Sequence, residues 1–310
     1  MSWQRGWTMR RPDPGAIAAT PVSGLALGAY LELIKPRITT LVVLTTATGL
    51  WLAPERPSFR TAFFTVLGTM LVVAAANVLN MYLERGTDAL MRRTMHRPLP
   101  AGRIHPASAL RFGILLAAVS VPLLTFLVGP LPGLLAAVAL VTYAFVYTPL
   151  KRRTTASLLV GAIPGAIPPL IGWTAATGRI DPPGLLLFAL LFLWQVPHFL
   201  AIALFRRNEF ARAGLLVQPN EPGGDRQARL NVVQYTAALV AVSLMFIPFG
   251  VADRIYFVVA ASSGAVFLAH GLKGLRQGSC ERWARAEFIG SLAYLVVLLS
   301  ALVLDHAWHP

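Results

Sequence analysis

Four polar residues, Asn77, Asn80, Glu84 and Asp88, recur at spacings of 3, 4 and 4 at the end of a long apolar run. At roughly 100° per residue they share one face of a helix about 80° wide. Glu84 and Asp88 then stand about 6 Å apart along the axis. Like charges so placed repel unless something positive lies between them. A hard cation such as Mg²⁺ suits them, because it takes oxygen ligands and completes its shell with substrate phosphates and water. Arg92, Arg93 and Arg97 follow immediately and offer charge-assisted hydrogen bonds to phosphate oxygens. Carboxylates, metal and arginines together are the chemistry of a diphosphate site. The plain alternative is a helix end with scattered surface charge. Two asparagines inside an apolar run weigh against it, since polar groups there are costly and tend to be functional.

Other segments add candidates. The stretch "VYTPLKRRTT" holds Tyr147, Lys151, Arg152 and Arg153. On its own it marks a cytoplasmic helix end; Lys151 and Arg152 join the candidate diphosphate-binding set. In "WQVPHFLAIALFRRNEF", Gln195 and His198 fall inside an apolar run, with Pro197 freeing a backbone carbonyl. His198 reads as a core residue, a ligand or an acid/base group. Glu209 reads as a further metal carboxylate or as a solvated loop acid. "GAIPGAIPPLIGW" reads as a helix broken by glycine and proline, as where backbone lines a cavity.

The elements that must carry these residues are membrane helices. The chain has 310 residues, 56% hydrophobic and 13% charged, with a mean hydropathy of +0.63. That is too apolar for a soluble globular protein. Nine spans are expected, near 38–53, 61–83, 107–127, 131–148, 156–176, 183–205, 232–251, 255–275 and 284–304, in an all-α polytopic fold. The formal charge of +14 does not imply nucleic acid. Of 27 Lys and Arg, only Arg56, Arg60, Arg179 and Arg254 fall on one side of these spans. The other 23 mark the opposite side as cytoplasmic by the positive-inside rule, with the N-terminus inside and the C-terminus outside. Residues 1–28, interrupted by Pro12, Pro14 and Pro21, read as a flexible cytoplasmic tail, and 29–310 as one membrane domain. Cys280 is the single cysteine, so no intrachain disulfide is possible.

The run "NMYLERGTDALMRRTMHRPLPAGRI" resembles the first motif of the UbiA family of membrane prenyltransferases. Asn80, Glu84 and Asp88 match its Asn-x₃-Asp/Glu-x₃-Asp pattern. Arg93, Thr94, Arg97, Pro98 and Leu99 match the tail of that motif. "LIKPRITTLVV", "YTPLKRRT", "GAIPGAIPPLIGWTAATG" and "WQVPHFLAIALFRR" extend the likeness, and the last is similar to the heme branch of the family. Gly86 departs from a commonly acidic position, but lies about 200° round the helix from Glu84. Asn208, Glu209 and Phe210 depart from a common Asp-Asp-Tyr.

The resemblance implies nine helices around a central cavity. It implies transfer of a farnesyl group from farnesyl diphosphate to a vinyl group of heme B, giving heme O. Mg²⁺, with Mn²⁺ left open, would sit at Glu84, Asp88 and Glu209. Asn80, Glu84, Asp88 and His198 would be catalytic, and Asn77, Arg92, Arg93, Arg97, Lys151 and Arg152 would bind diphosphate. Trp194, Gln195 and His198 would meet the heme. The lipid bilayer and heme A synthase are the implied partners. The implied location is the cell inner membrane in preference to the mitochondrial one. A prenyltransferase for a quinone precursor, or a heme-handling or transport protein, is the alternative. Transport predicts ionisable groups near the bilayer midplane, whereas Glu84, Asp88 and Glu209 lie at helix ends.

Overall fold

The computed structural model describes residues 23–277 and 280–308. Its regular structure is helical throughout these residues. A short α1 (Ser23–Leu33) leads into α2 (Pro36–Leu52), α3 (Phe59–Asp88) and α4 (Pro106–Leu127). Next, α5 (Pro130–Val141) runs on through a π-helical stretch, Thr142–Tyr147, into α6 (Thr148–Leu150). The rest are α7 (Ser157–Thr177), α8 (Pro182–Arg212), α9 (Gly224–Leu244), α10 (Arg254–Gln277) and α11 (Glu281–Trp308). The expected tail falls mostly outside the described residues, and its stretch from 23 onward belongs to α1.

Seven helices among the described residues are long and apolar enough to cross a membrane, counting Pro130–Leu150 as one. The expected first and seventh spans are helical too, as α2 and α9. Yet α2 has only 17 residues, and α9 opens on the charged run Asp225, Arg226 and Arg229. Helix α9, the expected seventh span, also ends at Leu244, short of the expected 251. Helix α8, the expected sixth span, runs past the expected 205 to Arg212.

Local chemistry fixes the ends. Ser58 Oγ accepts from Thr61 N (3.1 Å) at the start of α3, and Asp181 Oδ1 accepts from Gly184 N (3.3 Å) at the start of α8. These side chains satisfy backbone donors that helix starts leave unpaired. Asp305, near the end of α11, accepts from the backbone N–H groups of Asp253 and Tyr256 and so caps α10 from across the bundle.

The helices form two groups. In one, α3 packs on α4, α4 on α5, and α5 and α2 on α7; in the other, α8, α9, α10 and α11 close a ring in which each touches the next. The α7–α8 contact joins them. Lipid is as apolar as a leucine side chain, so close backbone approach through small residues does the joining. Gly49 faces the backbone carbonyl of Pro169, and Gly172 faces that of Thr46, so α2 and α7 meet backbone to backbone at two levels. Gly165 makes room in the same way for Gln195 of α8.

The break expected in "GAIPGAIPPLIGW" is absent. Helix α7 runs unbroken through Pro164, Pro168 and Pro169. Inside a bundle, neighbouring helices can re-satisfy groups that proline leaves unpaired. Gln195 Nε2 of α8 also donates to Ala162 O of α7 at 3.1 Å, a side-chain bond across that contact.

Replacing Gly172 by Val should therefore lower stability by about 1–3 kcal/mol, because a side chain must displace backbone. Gly86→Ala should be neutral or stabilising by up to about 1 kcal/mol, since no atom lies within 4 Å of the added methyl. Thermal unfolding of both variants in detergent checks this pair; the opposite ranking would refute the close crossing.

Candidate active site

The polar face of α3 meets side chains from four other parts of the chain. Asn80 is buried, and its amide is used at both ends. Its Nδ2 donates to Thr148 Oγ1 at 3.0 Å, while its Oδ1 accepts from Lys35 Nζ at 3.3 Å. Asn77 Nδ2 donates to Ile34 O (3.3 Å) and Thr39 Oγ1 (3.4 Å), tying α3 to the junction of α1 and α2. Glu84 accepts from Lys151 Nζ at 2.7 Å. Asp88, buried at its side chain, takes both its bonds from Arg97 Nη1, at 3.0 and 2.8 Å. Thr94 Oγ1 donates to Asp88 O, which folds the arginine loop back over the helix end.

The loop after α6 and the end of α8 complete the cluster. Arg152 donates to buried Thr87. Lys151 lies 4.2 Å from the centre of the Tyr147 ring. Burial works to lower the Lys151 pKa, but Tyr147 and Glu84 prevail and hold it above its ordinary value. Glu209 accepts from Arg93 N at 3.4 Å and from Arg206 at 2.9 Å, so the end of α8 touches the arginine loop after α3. Arg92 is exposed at the rim.

Three residues of this cluster were not singled out from the sequence: Lys35, Thr87 and Thr148. Lys35 had a readable signal, a cation at the mouth of the first span next to Pro36. Its backbone adopts the left-handed conformation, φ 50° and ψ 68°. A non-glycine residue there is strained by order 1–3 kcal/mol, and such strain clusters at functional sites. Burial, then the cations Arg97 and Lys151, bring its pKa down to about 7, against the pull of Glu84 and Asp88. The π-helical stretch that delivers Thr148 and Tyr147 was also not anticipated; such turns are frequent at functional sites. Thr148 Oγ1 in turn donates to Tyr143 O within it, at 2.8 Å.

Cations exceed carboxylates in this cluster: Lys35, Arg93, Arg97, Lys151 and Arg152 surround Glu84, Asp88 and Glu209. The surplus suits an anion. Among the described residues there is no group of three His, Cys, Asp or Glu able to hold a metal. Two carboxylates and an amide oxygen on one face nevertheless fit a Mg²⁺ ion that arrives with phosphate oxygens of its own.

The other expected residues lie on α8, facing different neighbours. His198 is buried, with Nδ1 2.8 Å from Ser291 Oγ of α11. Its ring stacks on Trp194 (4.7 Å, 25°) and meets Phe288 (4.8 Å, 35°). Trp194 Nε1 donates to Ser291 O at 2.6 Å. Gln195 bridges to α7, as described above. The structure thus groups Asn77, Asn80, Glu84, Asp88, Arg97, Lys151, Arg152 and Glu209 at one end of the bundle. It sets Trp194 and His198 together in the α8–α11 contact.

A multi-pass helical fold with a cation-rich, carboxylate-bearing cluster at a helix mouth defines a membrane protein with a site suited to an anionic, phosphate-bearing ligand. The chain belongs to the UbiA prenyltransferase family, whose model matches residues 42–292. It is 57% identical over 239 residues to a protein named protoheme IX farnesyltransferase from Sorangium cellulosum, covering 77% of this chain and 85% of that one. It is 48% identical to a protein of the same name from Myxococcus xanthus, covering 89% and 93%. Among solved structures, one concerning digeranylgeranylglyceryl phosphate synthase superposes with a TM-score of 0.79 at 16% identity, over 91% of this chain and 98% of that one. A UbiA homolog from Archaeoglobus fulgidus bound to DMAPP and Mg²⁺ superposes with a TM-score of 0.62 at 16% identity, over 88% and 98%.

Lys35 yields a pH prediction. A bound diphosphate favours the ammonium form, so binding raises the pKa of Lys35 from about 7. Binding then takes up a proton above that pH. Affinity should be full below about pH 7 and fall by up to about tenfold per pH unit above it, until the bound-state pKa is reached. Calorimetric titration of a prenyl diphosphate near pH 8, in buffers of different ionisation enthalpy, reads the uptake directly. Lys35→Met should flatten the profile; an uptake unchanged by that substitution would refute the role.

Proposed function

We propose that this chain transfers the farnesyl group of farnesyl diphosphate to a vinyl group of heme B, giving heme O. The reading rests on the joining of the acidic face of α3 to Lys35, Arg97, Lys151 and Arg152, in a chain whose relatives are named for this reaction. Asn77, Arg92 and Arg93 belong to the same diphosphate-binding group.

Glu84 and Asp88, with Asn80 and Glu209 nearby, would hold Mg²⁺ or Mn²⁺, and the metal's part is to neutralise charge on the diphosphate. The chain's own residues do the rest. Arg97, Lys151 and Lys35 stabilise the charge that develops as the carbon–oxygen bond breaks. An open apolar groove of about 580 Å³ runs along α3 and α4, lined by Leu79, Leu83, Leu110, Ile114 and Phe145 among others. Its wall on α3 lies on the helix that carries Asn80 and Glu84, and the isoprenoid chain is proposed to lie along it. Apolar walls keep water from the allylic cation until the vinyl carbon attacks it. Water then captures the resulting cation and loses a proton, giving the hydroxyl. His198, beside Trp194 and Gln195, is the candidate for meeting the porphyrin or accepting that proton.

By the positive-inside rule, this end of the bundle and the N-terminus are proposed to face the cytoplasm, and the C-terminus the outside. The proposed setting is the bacterial inner membrane, with heme A synthase as the consumer of the product.

Cells expressing the chain should contain farnesylated heme, detected by pigment extraction and mass analysis; its absence from cells making the folded protein would refute the reading. Glu84→Gln and Asp88→Asn should each lower turnover by at least about tenfold, equivalent to about 1.4 kcal/mol of transition-state stabilisation. Wild-type turnover in both would remove the acidic face from the mechanism. For topology, Arg103→Cys on a Cys280→Ser background should react with an impermeant thiol reagent only from the cytoplasmic side.

A further inference from the structure

The contacts of His198 fix which of its ring nitrogens carries the proton. Ser291 of α11 is fully buried and makes two bonds to α8. Its Oγ lies 2.8 Å from His198 Nδ1, and its backbone oxygen accepts from Trp194 Nε1 at 2.6 Å. Trp194 and His198 are four residues apart, so they share one face of α8 and meet the same residue of α11. The Ser291 hydroxyl also donates to Phe288 O, at 2.7 Å. A serine hydroxyl has one proton to donate, and it is spent there. Its oxygen can therefore only accept from His198. Nδ1 then carries the imidazole proton and Nε2 the lone pair, since the bond made by one ring nitrogen sets the state of the other.

The ring is held in that orientation. Trp194 stacks on it at 4.7 Å and 25°, and Phe288 lies against it at 4.8 Å and 35°. Phe199 meets it edge to face at 5.4 Å and 71°. A flip would turn a ring carbon toward Ser291 Oγ and forfeit the bond. Nε2 makes no hydrogen bond among the described residues, yet it is not one of the side-chain atoms buried without a partner. It therefore keeps accessible surface, although His198 as a whole is only 8% exposed.

The neighbouring rings also suit a proton on Nε2. A cation within about 6 Å of an aromatic centroid is attracted to the ring, and Trp194 and Phe288 both lie within that range of the imidazole. A neutral imidazole with a fixed lone pair, flanked by rings that favour its cation, is equipped to act as a base.

The proposed reaction has one proton to remove at its end. When water attacks the cation formed from the vinyl group, its oxygen supplies the electron pair of the new carbon–oxygen bond. One O–H bond then breaks, its electrons stay on oxygen, and the proton passes to a base. His198 is eight residues from Arg206, about 12 Å by helical rise, and Arg206 pairs with the Glu209 that touches the arginine loop. The base is thus on the helix that reaches the diphosphate cluster, but set back from its guanidinium groups.

We propose that Ser291 is a positioning residue that holds His198 in its Nδ1–H tautomer, and that His198 Nε2 takes the proton from the water that hydrates the farnesylated vinyl group. This rests on the reading of heme B as the acceptor.

Two readouts test it. The first is NMR of the histidine ring nitrogens in the purified full chain, with His198 assigned by its loss in His198→Gln. Neutral His198 should be protonated on Nδ1 in wild type and in Ser291→Thr, which keeps a hydroxyl, and should lose that preference in Ser291→Ala. The second is mass analysis of the product made from farnesyl diphosphate and heme B. Without its base, the cation instead loses a proton from the neighbouring carbon to solvent, giving an alkene lighter by one water. His198→Gln and Ser291→Ala should each raise the ratio of alkene to alcohol at least about tenfold, with the KM for farnesyl diphosphate unchanged. Ser291→Thr should keep the wild-type ratio. A packing role would lower the yield and leave the ratio alone. The opposite tautomer in wild type, an unchanged tautomer in Ser291→Ala, or an unchanged ratio in His198→Gln would overturn the proposal. So would an iron–imidazole signature of bound heme that His198→Gln removes, because Nε2 would then be spent on the metal. If wild type still makes the farnesylated alcohol in those cases, the proposed function stands and this assignment alone falls. A folded wild type that makes no farnesylated heme would overturn both.

Discussion

Carboxylates at the mouth of a membrane helix cannot stand alone, and the rest of this site follows from that. Glu84 and Asp88 sit one turn apart and repel each other. Each is answered by a cation from elsewhere, Lys151 and Arg97. Neither cation is carried by α3, so the charge balance can be met only when the loops after α3 and α6 are folded against that helix end. Once assembled, the cluster overshoots, with more cations than carboxylates. Burial makes that surplus costly, and the low pKa of Lys35 registers the cost. An incoming anion relieves it. On the proposed reading, recognition of a phosphate-bearing ligand is prepared by the way the carboxylates are neutralised.

Holding such a cluster in register demands stiffness from the apolar part. The paired close approaches of Gly49 and Gly172 lock α2 to α7, and Lys35 and Pro36 open α2. The strained backbone at Lys35 is thus anchored from one side by that crossing. From the other it is held by Asn77, which bonds to Ile34 O. The π-helical stretch before α6 serves a similar end. By widening one turn it re-aims Tyr147 and Thr148, so that Thr148 meets Asn80 and Lys151 reaches Glu84.

Much of this was legible in the sequence, for reasons that differ from residue to residue. The acidic face of α3 could be read because helical spacing alone puts Asn77, Asn80, Glu84 and Asp88 together. Most spans were legible from length and apolarity, and the missed edges fell where charges intrude, as at the start of α9 and the end of α8. Lys151 looked like a topology mark by itself; only tertiary contact with Glu84 distinguishes it from Arg153. Lys35 was missed because its partner Asn80 lies 45 residues away. The break predicted in α7 was wrong because proline's cost is set by what surrounds the helix, and here α7 is packed between α2, α5 and α8. The bond between His198 and Ser291 left no local pattern at all, since it depends on an antiparallel register between two helices.

On the proposed reading the two groups of helices carry different chemistries, and the division has a physical basis. A diphosphate needs cations, partial hydration and a helix mouth, which the α2–α7 group supplies. A large apolar macrocycle needs aromatic surface within the bilayer, which His198 with Trp194 and Phe288 would supply in the α8–α11 group. Placing both needs in one pocket would surround the macrocycle with guanidinium groups or strip the diphosphate of its counter-charges. Separation avoids that, but it requires the two groups to meet at a fixed distance. The division is spanned chiefly by the α7–α8 contact, tightened by Gly165 and Gln195, with α2 also touching α11 and the end of α8 bringing Glu209 to Arg93. On the proposed reading, the relative placement of the two substrates is set by these contacts as much as by any residue that touches the reacting carbons.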